Sequence, residues 1–103
     1  MDYRIDLAAI PWQSPLPGVR FRPYEQDGRR LRVVEYTSDF VEPDWCRKGH
    51  AGYVIEGRFE IDFNGRLVRF DAGDGIFIPA GEEHKHKARI LSEVVRVILF
   101  EDV

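Results

Sequence analysis

Strict alternation of apolar and polar residues, interrupted by tight turns, is the feature that most limits how this chain can fold. Between Arg58 and Phe63 every second residue is apolar, Asn64-Gly65 follows, and residues 67–70 are again β-type. An Asn-Gly pair between two such segments is the strongest short-range signal of a β-hairpin. The sequence therefore predicts an antiparallel pair of strands with one apolar face.

Similar segments occur along the rest of the chain, bounded by Gly, Pro and Asp residues, at 19–24, 31–37, 52–56, 76–79 and 93–101. No window has a helical period with caps at both ends. The best helical candidate, residues 88–95, ends in β-branched residues that favour a strand. About seven or eight short strands, separated by turns, predict an all-β antiparallel barrel or sandwich.

A chain of 103 residues allows one domain with one core. Pro11, Pro15 and Pro17 precede Gly18 and exclude a continuous helix at the start of the chain. We therefore expect an extended, Pro-rich arm at residues 1–18 and a β-domain at residues 19–103.

Charge and cysteine content exclude several classes of protein. The net charge is −3, and the 15 basic residues are interleaved with acidic ones, which argues against a nucleic-acid-binding surface. No apolar stretch is long enough for a membrane span or a signal peptide. The single cysteine, Cys46, cannot form an intrachain disulfide and suits a reducing compartment. We expect a cytoplasmic protein with a small-molecule ligand and no nucleic-acid or membrane partner.

Residues that bind transition metals are concentrated in two short stretches. Asp44, Cys46 and His50 share one side of an extended chain, and His84 and His86 share one side of another. These stretches contain the only cysteine and all three histidines of the sequence. Carboxylate, thiolate and imidazole are the usual side-chain ligands of transition metals. The placement predicts a metal site, although each residue alone would also fit a turn or a packed core.

The segment Gly73–His84 resembles the second cupin motif, in which a glycine and five residues precede Pro-x-Gly, two more residues and a histidine. The spacing matches as far as His84, but the final asparagine of the motif would fall on Ala88. Residues 53–57 resemble the end of the first cupin motif. Counting back from Gly57 places the metal triad of that motif on Asp44, Cys46 and His50, all of them substituted. The resemblance covers roughly residues 30–100.

This resemblance implies a conical antiparallel β-barrel of the jelly-roll type, also called a double-stranded β-helix, with the site in its mouth. Cys46, His50 and His84 are the preferred ligands, and Asp44 or His86 would complete a closed set of four. Zn²⁺ is the expected ion for cysteine and histidine ligands, with Fe²⁺, Ni²⁺ or Mn²⁺ as alternatives. A site without metal is the other alternative.

Two functions remain open at this point. The first is a small cupin that binds a divalent metal, a small polar ligand or both, without turnover. The second is a metal-dependent enzyme of the dioxygenase or isomerase type, in which His86 or Asp44 would move a proton. A nucleophilic Cys46 paired with His84 or His50 is a third interpretation, which lacks an orienting group.

The expected oligomer is a homodimer, because small cupins are commonly dimers. The arm also carries apolar side chains that must pack on the same chain or on a second one. These are Ile5, Leu7, Ile10, Trp12 and Leu16.

Overall fold

The structure, a computed structural model, describes residues 3–103, and Met1 and Asp2 of the predicted arm lie outside the described residues. Short 3₁₀ helices occur at Leu7–Ala9 and Glu82–His84. The strands are β1 (Gln13–Leu16), β2 (Val19–Gln26), β3 (Arg29–Thr37), β4 (His50–Glu56), β5 (Arg58–Phe63), β6 (Arg66–Asp71), β7 (Gly75–Ile78), β8 (Lys87–Ile90) and β9 (Val94–Asp102).

The strands form two antiparallel sheets. The larger has the order β1-β2-β3-β9-β4-β7 and the smaller has the order β6-β5-β8. The predicted hairpin is β5–β6, and its turn residues Asn64 and Gly65 both have positive φ, as a type I′ turn requires. Each predicted strand has an observed counterpart. In addition, β1 lies inside the predicted arm, and β8 overlaps the start of residues 88–95, the best helical candidate of the sequence.

Apolar residues on the inward faces of the two sheets form a single core. Its buried members are Val19, Val34, Val54, Phe59, Ile61, Phe70, Ile76, Ile78, Val95, Val97 and Leu99. Alternation is clearest in β9, where every second side chain from Val95 onward is buried. The predicted all-β antiparallel jelly roll is confirmed. Among residues 3–103 the hydrogen-bond ladders of the two sheets stay separate, so the barrel is not closed by strand pairing.

The arm packs on the outside of its own chain. The guanidinium groups of Arg20 and Arg22 each lie over the Trp12 ring, 4.1 Å from its centre. Arg22 also donates a hydrogen bond to the Ala8 carbonyl over 3.1 Å. β1 pairs with β2, so part of the arm belongs to the larger sheet. The division at residue 18 and the homodimer stay predictions.

None of the helices in residues 3–103 is long and apolar enough to cross a membrane.

Gly52 lets β4 approach β9 at the level of the site. A Cβ atom at this position would lie 1.9 Å from the backbone oxygen of Ile98. Backbone cannot rotate away as a side chain can, so we expect Gly52→Ala to lower the free energy of unfolding by about 1–3 kcal/mol. Gly75→Ala is the matched control, because its Cβ would meet nothing closer than 3.9 Å. Urea unfolding of both variants measures the difference, and equal stabilities would contradict the close approach.

Candidate metal centre

The inward rows of two neighbouring strands end in ionisable side chains. In β9 the row of Val95, Val97 and Leu99 continues to Glu101, which is only 5% exposed. His50 begins β4, two residues before Gly52, which pairs with Leu99. The register therefore brings His50 and Glu101 together, and His50 Nδ1 lies 2.6 Å from Glu101 Oε2.

Cys46 and His86 are joined by an isolated antiparallel bridge between the loop before β4 and the segment before β8. The Cys46 N–H donates to the His86 carbonyl over 2.8 Å, and the His86 N–H donates to the Cys46 carbonyl over 2.9 Å. Residues that face each other in an antiparallel pair project their side chains to the same side. This bridge places the thiol and the imidazole together beside His50.

One ligand atom from each of Cys46, His50 and His86 lies within 4.8 Å of the others. The Nδ1–H of His50 donates to Glu101, and the Nδ1–H of His86 donates to the His84 carbonyl over 3.0 Å. Both rings therefore leave Nε2 free to act as a ligand. Cys46 Sγ lies 3.5 Å from His50 Nε2. Zinc bonds of ~2.3 Å to sulfur and ~2.0–2.1 Å to nitrogen in a tetrahedron separate two ligand atoms by roughly 3.5 Å, which the Cys46–His50 pair matches, and one thiolate with two imidazoles is a set of donors that suits zinc.

Contacts within this group change its proton affinities. The hydrogen bond with His50, and a second with His86, lowers the pKa of Cys46 to about 5. Burial acts to lower the pKa of His50, but contacts with Cys46 and Glu101 outweigh it and raise the pKa to about 9. Burial likewise opposes charge on His86, and the contacts with Cys46 and the His84 carbonyl raise its pKa. Without a metal, a thiolate beside protonated imidazole is favoured.

Two arginines of β3 hold Glu101 in place. Arg30 Nη2 donates to Glu101 Oε1 over 3.0 Å, and the Nε of Arg32 donates to the same oxygen. Burial acts to raise the pKa of Glu101, but His50 and Arg32 outweigh it and lower the pKa to about 2. Glu101 is therefore a carboxylate at neutral pH that fixes the ring and the tautomer of His50.

His84 and Asp44 lie outside this group. The Glu82–His84 3₁₀ helix turns about 120° per residue, so His84 and His86 no longer share one side as they would in a strand. The His84 side chain is 39% exposed, and its nearest carboxylate is that of Glu83 at 3.9 Å. Asp44 is exposed, and its Oδ1 accepts the N–H of Trp45 over 2.7 Å. The grouped set therefore contains His86 where the sequence favoured His84.

A cavity of about 70 Å³ adjoins the candidate ligands. His50 and His86 line one wall, and most of the rest is apolar, from Phe59 and Ile61 to Val97 and Leu99. The remaining polar lining comes from Tyr36 and Glu42, and one Glu42 oxygen accepts the Ala88 N–H over 3.0 Å. The site thus combines metal-binding atoms with a small, largely apolar pocket.

Sequence reasoning missed Glu101 and Glu42 as site residues. A signal for Glu101 was present, because it has the same parity as Val95, Val97 and Leu99. Glu42 precedes Pro43 in an irregular loop, where no periodicity indicates which way a side chain points.

The family follows from the sequence match. The family model of the cupin domain matches residues 45–99, which include Cys46, His50 and His86. The chain belongs to the cupin family. No curated protein matches this cupin.

Solved cupin-like structures resemble the whole fold. The polyketide cyclase RemF from Streptomyces resistomycificus has a TM-score of 0.79 and 21% identity, covering 99% of this chain and 80% of its own. KdgF from Halomonas sp. has a TM-score of 0.71 and 23% identity, covering 90% of this chain and 88% of its own. An RmlC-like cupin from Shewanella frigidimarina has a TM-score of 0.74 and 15% identity, covering 99% of this chain and 91% of its own. At these identities the likeness shows the fold of this cupin and not its activity.

Proposed function

We propose that this cupin binds one divalent metal ion, Zn²⁺ in preference, through Cys46, His50 and His86, and a small polar ligand in the adjoining cavity. The observation that supports it is the convergence of three ligand atoms within 4.8 Å, with both histidine Nε2 atoms left free by their Nδ1 contacts. A thiolate among the ligands favours zinc over harder ions, while Fe²⁺, Ni²⁺ and Mn²⁺ remain the alternatives.

Three protein ligands distinguish this arrangement from a closed structural site. A zinc ion bound by three protein ligands keeps its fourth position for water or substrate, where it polarises a carbonyl or lowers the pKa of water. Asp44 and His84 lie outside the group of Cys46, His50 and His86, so neither supplies a fourth protein ligand that would close the site. The Glu101 carboxylate and the His84 carbonyl orient the two histidines, and most of the cavity wall is apolar. This supports a metal-dependent activity on a small ligand.

Cobalt substitution tests the proposed metal site. The untagged protein, freed of metal with a chelator, is titrated with Co²⁺ and followed by absorbance. We expect one ion per chain, with thiolate-to-cobalt charge transfer and the visible bands of a tetrahedral site. Cys46→Ser removes the charge-transfer band. If neither Co²⁺ nor added Zn²⁺, Fe²⁺, Mn²⁺ or Ni²⁺ binds, the proposal is wrong.

Nucleophilic cysteine chemistry is the second candidate, because Cys46, His50 and Glu101 form a continuous chain of contacts. Cys46 Sγ lies 3.5 Å from His50 Nε2, and His50 Nδ1 lies 2.6 Å from Glu101. A nucleophile, a base and a carboxylate that orients the base are the parts of a cysteine–histidine catalytic group. Glu101 supplies the orienting group that the sequence alone did not reveal.

Alkylation by iodoacetamide separates the two candidates. In the metal-free protein, Cys46 has a pKa of about 5. We therefore expect its alkylation at pH 6 to be several-fold faster than that of an ordinary thiol, and nearly flat above that pH. His50→Ala moves the rise in rate to higher pH, whereas His84→Ala leaves it in place. Zn²⁺ protects the thiol if Cys46 is a ligand. A thiol that reacts equally fast with and without Zn²⁺ would favour the nucleophile.

A further inference from the structure

Two polar groups of the cavity have no partner within the described part of the chain. The Tyr36 hydroxyl forms no hydrogen bond there, although its ring packs against that of Phe40, with the two ring centres 5.0 Å apart. One carboxylate oxygen of Glu42 accepts a hydrogen bond from the Ala88 N–H, and the other has no protein partner among residues 3–103. Polar groups in a largely apolar enclosure are normally hydrogen-bonded, so an oxygen or nitrogen atom from outside the protein is expected between them.

The two groups offer complementary hydrogen bonds. Burial, aided by the nearby Glu42 carboxyl group, raises the pKa of Tyr36 to about 12, so its hydroxyl remains a donor at neutral pH. The free Glu42 oxygen is an acceptor. A hydroxyl group that accepts from Tyr36 and donates to Glu42 satisfies both.

The charge and the size of the cavity further limit which ligands it can bind. Among residues 3–103 no lysine or arginine side chain lines it, and the imidazoles of His50 and His86 on its wall already pair with Cys46 and Glu101. In the metal-free protein a second carboxylate would therefore face that of Glu42 without a free cation beside it. Its volume of about 70 Å³ is small. Cavities of roughly 150 Å³ take benzene, so only a few carbon atoms fit here.

We propose that Tyr36 and Glu42 select small, uncharged molecules that carry a hydroxyl group, and bind this group in the cavity that His50 and His86 also line. The proposal rests on the ligand part of the proposed function and adds the ligand's chemical class. The apolar walls cover its carbon atoms.

The test uses hydroxyacetone, lactate and 1-amino-2-propanol as uncharged, anionic and cationic probes of similar size. Binding is followed by NMR of isoleucine methyl groups, since Ile61, Ile76, Ile78 and Ile90 line the cavity and Ile55 is exposed outside it. We expect hydroxyacetone to shift the four cavity signals, and both charged probes to bind the metal-free protein at least about 10-fold more weakly.

Variants then assign the contacts. Tyr36→Phe should weaken hydroxyacetone binding about 3–10-fold and Glu42→Gln about 10-fold or more, because each loses a hydrogen bond to the ligand. Tyr24→Phe is the matched control, since its hydroxyl bonds Gln26 on the outer surface over 2.7 Å. It should bind like the unchanged protein.

Titration of metal-free and zinc-loaded protein separates this proposal from the metal site. If zinc does not bind but hydroxyacetone still depends on Tyr36 and Glu42, the metal site fails and this inference stands. If zinc binds and both variants bind hydroxyacetone normally, the inference is wrong. Equal binding of lactate by the metal-free protein, or no shift of the cavity signals in either form, overturns it as well.

Discussion

Replacing Glu101 with alanine should cost the metal-free protein about 3–5 kcal/mol of unfolding free energy, because it leaves buried positive charge without its partner. The side chains of Arg30 and Arg32 are only 17% and 15% exposed, and both donate to this carboxylate. Urea unfolding at neutral pH measures the loss. Since the pKa of Glu101 is about 2 in the folded protein and 4.5 is its ordinary value, the stabilisation is present above pH 4.5. It is lost as the pH falls from 4.5 towards 2.

Glu82→Gln is the matched control for this prediction. Glu82 also pairs with an arginine, Arg47, but both side chains are exposed and screened by solvent, so its loss should cost far less stability than that of Glu101. The conservative variant Glu101→Gln reveals the positioning role separately, because it keeps the shape of the side chain. It should lower zinc affinity about 10–100-fold, as loss of a partner that orients a ligand does. Equal stability of Glu101→Ala and Glu82→Gln would refute the buried ion pair.

Replacing His86 with alanine should lower zinc affinity more than about 100-fold, because a direct ligand contributes more than the groups that orient it. His84→Ala should leave the affinity within about 2-fold, since its exposed ring lies outside the group of ligand atoms. Competition with a chromophoric chelator measures both. The two histidines are separated by one residue. The comparison therefore distinguishes a ligand set that contains His86, as in the structure, from one that contains His84, as the sequence favoured.

Folding must be controlled in this experiment, because His86 is 4% exposed and its ring contacts His50 and Phe63. Methyl NMR spectra of both variants show whether the core is intact. Cys46→Ser provides an independent ligand change with little change in volume, and it should reproduce the loss of zinc. A large loss in His84→Ala together with normal binding by His86→Ala would show that the ligand set is the one the sequence favoured.

Much of the fold could be predicted because strand periodicity records which face is buried. The alternation of Phe59, Ile61 and Phe63 and the Asn64-Gly65 turn specify β5 and β6 without knowledge of the rest of the chain. The order of strands could not be predicted in this way. β9 lies between β3 and β4, which are far from it in sequence, and such pairing depends on long-range packing that leaves no local pattern.

The candidate site was predictable where side chains lie on regular backbone and less so elsewhere. His50 lies in β4, so its parity indicated its direction. His86 follows a 3₁₀ helix, whose rotation per residue differs from that of a strand, and the assumption of alternation fails there. Cys46 lies in a loop whose position depends on its bridge to His86, which is 40 residues away in the sequence.

The bridge between Cys46 and His86 joins the loop that leads into the larger sheet to the segment that leads into the smaller one, whereas the ladders of the two sheets stay separate in residues 3–103. On the proposed function, an ion bound by Cys46, His50 and His86 would cross-link the larger sheet to the segment that leads into the smaller one. Binding that favours only the folded state adds about 2.7 kcal/mol when free zinc is 100 times its dissociation constant. How firmly the two halves of this protein hold together would then depend on the supply of zinc around it.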